Sequence, residues 1–252
     1  MRRFITCVLW AFIATVVGAG PVGAGTKIEL GPKLGLNFAT MTGEEFEPSS
    51  PNASTSFNYI PGGIVGGFVT IRWDGRWAIQ PEVLFSQKGT EWEDVTVRND
   101  TTSTRTTQIE VDYVEIPVLV KFTIPRTGRF EPFFYAGPAI AFKTVSSLQY
   151  EAIVDRAGTK ISHYDNYSSC IYNAKSVIIE GTIGIGVDWK LGSNRLTVEG
   201  RYTRSYKAVF EDVDDFDAIP EDDTFVARYP SGEAYELNHS VFSIIVGFGF
   251  SL

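Results

Sequence analysis

Cysteine is nearly absent from these 252 residues: only Cys7 and Cys170 occur. Cys7 falls inside an apolar amino-terminal run, too early and in the wrong context for a lipid-anchored cysteine. Without that run Cys170 stands alone, and one thiol cannot form an internal disulfide. Histidine is as scarce, with His163 and His239 the only two, which leaves little material for general-base chemistry. A basic surface is missing as well. The net charge is −8, which argues against nucleic acid, whose binders carry basic patches. Beyond the amino terminus no stretch approaches the roughly 20 apolar residues of a membrane helix. The longest candidate, VFSIIVGFGFSL at the carboxy terminus, is too short.

The first residues predict a compartment. MRRFITCVLWAFIATVVGAG has two arginines followed by an apolar run, and Val22-Gly23-Ala24 puts small residues at the spacing of a signal peptidase site. Residues 1–24 are therefore expected to be a secretory signal peptide, with 25–252 the mature domain. That length suits one large all-β domain.

Period-two alternation recurs along the rest of the chain. In DYVEIPVLVKF, Val114, Ile116, Val118, Val120 and Phe122 share one face, while Glu115 and Lys121 lie on the other. Successive strand side chains point to opposite faces, so this is strand grammar. Eight such segments are predicted, at 33–39, 64–73, 77–89, 112–122, 132–143, 178–190, 195–203 and 240–252. The connections DGR (74–76), 123–131 and LGSN (191–194) are short. Those at 40–63, 90–108, 144–177 and 204–239 are long. Strict alternation of short and long connections predicts an eight-stranded antiparallel up-and-down transmembrane β-barrel, with short periplasmic turns and long extracellular loops. A mean hydropathy of −0.01 does not oppose this, because barrel strands alternate rather than run apolar.

The parity assigns faces. Trp73, Trp77 and Trp189 fall on the apolar parity beside short turns and predict a periplasmic aromatic girdle, since amphipathic rings favour the lipid–water interface. Glu82, Lys88, Glu115, Lys121, Glu180, Asp188, Glu199 and Arg201 share the inward parity. They predict a polar lumen network with opposite charges paired, because an unpaired charge away from water costs several kcal/mol. Eight strands enclose a bore that side chains can fill, so a plugged interior is expected. A secreted soluble barrel would turn the apolar parity inward instead. Pro81, Pro117 and Pro138 fall mid-strand and predict local bulges or irregular pairing, because proline removes a ladder hydrogen bond.

WAIQPEVLFSQKG, DYVEIPVLVKF and PFFYAGPAIAF, followed by GIGVDWK, EGRYTRSY and VFSIIVGFGF, resemble the PorT-like outer-membrane β-barrel proteins over about residues 31–252. The resemblance implies an integral barrel surrounded by outer-membrane lipid and lipopolysaccharide. It also implies insertion by the barrel assembly machinery through the C-terminal strand, and long loops open to a protein partner. No secretion role is carried over, because the loops match no known motif.

Catalysis has little support. His239-Ser240 is conceivable at the outer rim, but adjacent strand residues face opposite ways, so both histidines are read as surface residues. The acidic run EDVDDFDAIPEDD (211–223) lacks the glycine and closing glutamate of a calcium loop, and a solvated loop is expected there. No cofactor, metal or catalytic residue is assigned. A non-enzymatic barrel with a filled lumen is the leading expectation. The alternatives are a narrow solute pore and an outer-membrane lipid hydrolase or protease.

Overall fold

The computed structural model describes residues 26–42, 53–73, 75–98, 101–156, 158–168, 175–206 and 238–252. Every regular element among them is a strand: β1 Lys27–Thr42, β2 Ala53–Asn58, β3 Ile60–Arg72, β4 Trp77–Arg98, β5 Thr101–Thr123, β6 Phe130–Arg156, β7 Thr159–Ser168, β8 Val177–Leu191, β9 Asn194–Ser205 and β10 Asn238–Ser251. Eight of them close a ring, β1-β3-β4-β5-β6-β8-β9-β10, which β10 completes by pairing antiparallel with β1. Closure removes the sheet edges, and with them the unpaired backbone groups that hydrocarbon cannot satisfy. The amino-terminal segment 1–24, Cys170 and the acidic run 211–223 lie outside the described residues.

The parity read from the sequence is the parity of the walls. Val118, Ile183 and Val246 are exposed on the outside, whereas Glu115 and Arg201 are buried within. Leu34, Leu36, Val65, Ile179, Ile185, Val198 and Ile244 continue the apolar exterior around the ring. A soluble barrel would bury those residues and expose the charges.

Two short turns take the backbone their glycines permit. Gly75 has φ 79° between β3 and β4, and Gly192 has φ 70° between β8 and β9. Both lie in the left-handed region, where a side chain would be strained. Trp73, Trp77 and Trp189 stand exposed beside these turns. Trp77 packs edge-on against Phe122 at 4.7 Å, and Trp189 stacks on Phe130 at 5.3 Å. The aromatic rings thus gather at the short-turn end.

The other end differs from the expectation of long loops. β4 and β5 run on together as far as Arg98 opposite Thr101, and β6 continues to Arg156 before turning back as β7. β2 pairs with β4 from Ala53–Thr96 to Asn58–Glu91. Much of 90–108 and 144–177 is therefore a five-stranded sheet, β2-β4-β5-β6-β7, standing on the barrel. A membrane-crossing strand needs only about 9–11 residues, so the 23 residues of β5 overshoot it. The run TTSTRTTQ gives no alternating apolar signal there, although threonine is a good strand former.

At the prolines the pairing is irregular rather than bulged. The β4–β5 register is the same at Pro81–Val118 as at Leu84–Glu115, with the ladder interrupted between them rather than shifted. The one register shift between β5 and β6 lies at Asp112/Tyr113, where Thr144 is the extra residue. It falls where β6 changes partner, from β8 ending at Phe142–Val177 to β7 beginning at Ser147–Ser168. Bulges bend and twist a strand pair, and this one separates barrel wall from projecting sheet.

Candidate functional site

The inward side chains fall into three charged layers, counted from the short turns. Nearest the turns, Asp188 on β8 pairs with Lys121 Nζ at 3.0 Å and accepts from Thr197 Oγ1 at 2.8 Å. Arg195 on β9 reaches across the mouth to Glu29 on β1 at 2.6 Å and to Glu131 on β6. Lys190 also pairs with Glu131, at 2.6 Å. Arg72 donates to Thr123 Oγ1 at 2.8 Å and lies 3.8 Å from Asp188. Lys121 Nζ sits 3.6 Å above the Phe133 ring, where the ring quadrupole attracts it.

The middle layer is a closed four-membered charge cluster. Lys33 Nζ bonds Glu82 at 2.7 Å and Glu199 at 2.8 Å. Arg201 Nη2 bonds the same two carboxylates at 2.7 and 2.9 Å. Two cations thus face two carboxylates, and their remaining valences are met locally. Arg201 Nε donates to Tyr135 Oη at 3.0 Å, Gln80 Nε2 donates to Glu82 at 2.7 Å, and Gln80 Oε1 accepts from Thr70 Oγ1 at 2.9 Å. Charge balance together with full hydrogen bonding is what makes such burial tolerable.

Above it Asn37 joins Ser86 at 2.9 Å and Ser243 at 2.7 Å. Ile64, Leu84 and Ile245 form a small apolar contact. The third layer lies under the projecting sheet. Lys88 Nζ stands between Glu180 at 2.7 Å and Glu115 at 2.8 Å. Tyr113 Oη lies 3.3 Å from His239 Nε2.

Glu82, Lys88, Glu115, Lys121, Glu180, Asp188, Glu199 and Arg201 all sit in these layers. Glu82, Glu180 and Asp188 have 0% of their surface accessible. A bore wide enough for water would leave accessible area on the groups lining it, so the tube is filled at all three levels. The network also takes in Glu29, Lys33, Arg72, Gln80, Tyr113, Glu131, Tyr135 and Arg195, which the sequence reading did not count in it. Gln80, Tyr113 and Tyr135 stood on the inward parity already, Lys33, Arg72 and Arg195 lie inside the predicted segments, and a short extension of two strands reaches Glu29 and Glu131.

His239 is fully buried inside the barrel, not on the surface. Ser240 turns the other way, to Tyr202 Oη at 3.2 Å. His163 lies on β7 opposite Ala152.

Glycines make room for the lumen rings. A Cβ at Gly184 would lie 2.3 Å from Tyr135 Cζ, and one at Gly186 would lie 2.5 Å from Phe133 Cζ. At Gly67 the nearest atom would be an ordinary 3.4 Å away. Overpacking a filled core costs about 1–3 kcal/mol. Gly184→Ala is therefore expected to lower the urea midpoint of the lipid-folded barrel by that equivalent, and Gly67→Ala to leave it nearly unchanged. Equal midpoints for the two variants would refute this account of the rings.

No curated protein matches the chain. Among solved structures it is similar to Neisserial surface protein A (NspA), with 10% identity, a TM-score of 0.38 and coverage of 88% of this chain and 97% of that one. It is similar to OprG from Pseudomonas aeruginosa, with 10% identity, a TM-score of 0.38 and coverage of 90% and 95%. It is also similar to Ail, the attachment invasion locus protein of Yersinia pestis, with 8% identity, a TM-score of 0.35 and coverage of 88% and 98%. No function is carried over from likenesses of that degree. The match that decides is to the outer membrane protein beta-barrel domain, over residues 22–211. That match covers most of the chain and agrees with the closed, outwardly apolar ring: the chain belongs to the outer membrane protein beta-barrel domain family and is located in the outer membrane.

Proposed function

We propose that this protein is a closed, non-enzymatic scaffold that carries an extracellular β-sheet for contact with a protein partner, in adhesion or in an envelope or secretion apparatus. The observation that carries the reading is the filled lumen: three ionic layers cross the bore, and the carboxylates at their centres are inaccessible to water. A barrel sealed in this way has no path for solute, which leaves, among the described residues, the projecting sheet as the part able to meet other molecules. The outward side of that sheet carries polar side chains, with Glu91, Glu93, Gln108, Glu110 and Glu151 at least partly exposed beside Val97 and Val145.

The other partners follow from the same architecture. Outer-membrane lipid and lipopolysaccharide surround the apolar belt, and the barrel assembly machinery engages β10 at the carboxy terminus. Nucleic acid has no place in this reading, because the chain is acidic. Within the family, the Q-P-E-x-x-F-S-Q-x-G block at 80–89 and the Y-x-x-I-P-x-L-x-K block at 113–121 favour the PorT-like branch. A hydrolase is disfavoured by His239, which is held against Tyr113 inside the barrel rather than beside a nucleophile at the rim.

Planar bilayers test the reading. The purified barrel is expected to insert without giving any steady current. A reproducible conductance step at neutral pH would replace the scaffold by the narrow-pore reading.

A further inference from the structure

Charge is spread unevenly along the barrel axis. The short-turn end is closed by the sequences WDGRW (73–77), IPRTGR (124–129) and KLGSN (190–194), which hold Arg76, Arg126, Arg129 and Lys190 against one acidic residue, Asp74. Lys27 opens β1 at the same end, opposite Arg72 on β3. Lys27, Arg76, Arg126 and Arg129 are exposed. The carboxylates of that end are buried in the mouth of the bore and already engaged: Asp188 by Lys121, Glu29 by Arg195, and Glu131 by Lys190 and Arg195. Arg76 has contacts of its own, but among the described residues Lys27, Arg126 and Arg129 form no ion pair.

The girdle rings fix the level at which these cations stand. Each turn has a cation next in sequence to a lipid-facing ring: Arg76 precedes Trp77, Arg129 precedes Phe130, and Lys190 follows Trp189. Such rings settle among lipid headgroups. Backbone hydrogen bonds tie the turns to the wall at this level, with Arg76 O accepting from Thr123 N at 2.7 Å and Arg129 O from Lys190 N at 2.8 Å. Long basic side chains lay their stems along apolar surface and carry the charge to the headgroups.

We propose that the short-turn rim is a binding belt for anionic phospholipids of the periplasmic leaflet, with Lys27, Arg126 and Arg129 receiving the headgroup phosphates. A guanidinium is a planar fork that matches phosphate oxygens, and a cation beside an anionic lipid surface is attracted until salt screens it. An anionic polymer of the periplasm would be drawn to arginine too, but it needs charges that stand clear of the membrane. Here the cations follow the rings around the lipid boundary. At the sheet end the exposed Arg105, Arg156 and Lys160 stand among carboxylates such as Glu110, Glu151 and Asp155, so the unmatched positive charge belongs to one leaflet.

Quenching of tryptophan fluorescence by brominated lipids reads the neighbours of the rim directly, because Trp73, Trp77 and Trp189 lie there. Trp92→Phe, made in every protein compared, removes the tryptophan of the projecting sheet. In phosphatidylcholine vesicles, brominated phosphatidylglycerol is expected to be enriched about fivefold around the folded barrel, the equivalent of about one cation held beside an anionic surface. Raising the salt should reduce the enrichment. Lys27→Gln, Arg126→Gln and Arg129→Gln combined should bring it below about twofold, whereas Arg126→Lys with Arg129→Lys should keep it. No enrichment around the barrel with its cations intact overturns the proposal and calls on no charge variant to fold. So does enrichment that the triple glutamine variant keeps, which would put the anionic lipid elsewhere on the barrel. Co-sedimentation with peptidoglycan that the triple variant loses, found without lipid enrichment, would give the rim to that polymer instead.

Discussion

Replacing Arg201 by methionine is expected to destabilise the barrel by about 3–5 kcal/mol, the range for breaking a buried ion pair by removing one partner. Arg201 is 2% exposed and bonds Glu82, Glu199 and Tyr135. Without it, Lys33 alone must answer two carboxylates that have no access to water. Arg201→Met combined with Glu82→Gln restores the balance, leaving Lys33 with Glu199, and should recover most of the loss. Urea titration in lipid, read by heat-modifiable gel mobility, gives all three midpoints. A double variant no more stable than the single one would mean that the four groups do not act as a balanced unit, and that the cost of losing Arg201 lies in its packing against Tyr135.

The second large effect concerns the opposite face. Ile185 lies near the middle of β8 on the outside, 70% exposed. Arginine at the bilayer midplane of a barrel costs about 2–4 kcal/mol, falling to about 0–1 near the interface. Ile185→Arg should therefore be strongly destabilising. Leu191→Arg, at the short-turn end of the same strand, should be nearly neutral. Each is read against wild type folded in the same lipid. The difference between the two positions carries the argument, since a uniform cost would reflect local strand propensity rather than hydrocarbon. Equal costs would contradict a lipid-facing β8.

Much of this architecture could be read from alternation alone. Val118, Ile183 and Val246 share a parity that turned out to be the outer wall, and Gly75 and Gly192 mark the tight turns they promised. The extracellular sheet was not legible, because a hydrophobic period exists only where one face meets lipid and the other a filled bore. Above the lipid both faces can be polar, and threonine-rich strands then look like loops. The lumen residues show a related limit. Glu82 and Arg201 were visible as inward charges, but nothing local pairs β1 with β9, so Lys33–Glu199, 166 residues apart, could not be foreseen. Lys33 opens the predicted segment 33–39 on its inward parity, but nothing local points it to Glu82 or Glu199. Of the two outcomes the prolines allowed, irregular pairing is the one seen: a missing N–H leaves a gap in the ladder, and the one bulge between β5 and β6 falls where the neighbouring strand changes.

The cross-bore bonds join parts of the polypeptide made early to parts made late. Lys33, Arg72, Lys88 and Lys121 come from β1 to β5, and Glu131, Glu180, Asp188 and Glu199 come from β6 to β9. Glu82 and Glu115, on β4 and β5, answer Lys33 and Lys88 only in part: Glu199 and Glu180, on β9 and β8, complete those clusters, and Lys121 and Arg72 meet Asp188 only from β8. An arc of strands lacking β8 and β9 would hold stranded cations, and hydrocarbon would reject it. Ionic pairing of this kind works as an inspection of completeness: the tube is tolerated by the membrane only once its last strands have arrived, so a stalled or truncated intermediate is left exposed for removal rather than stored.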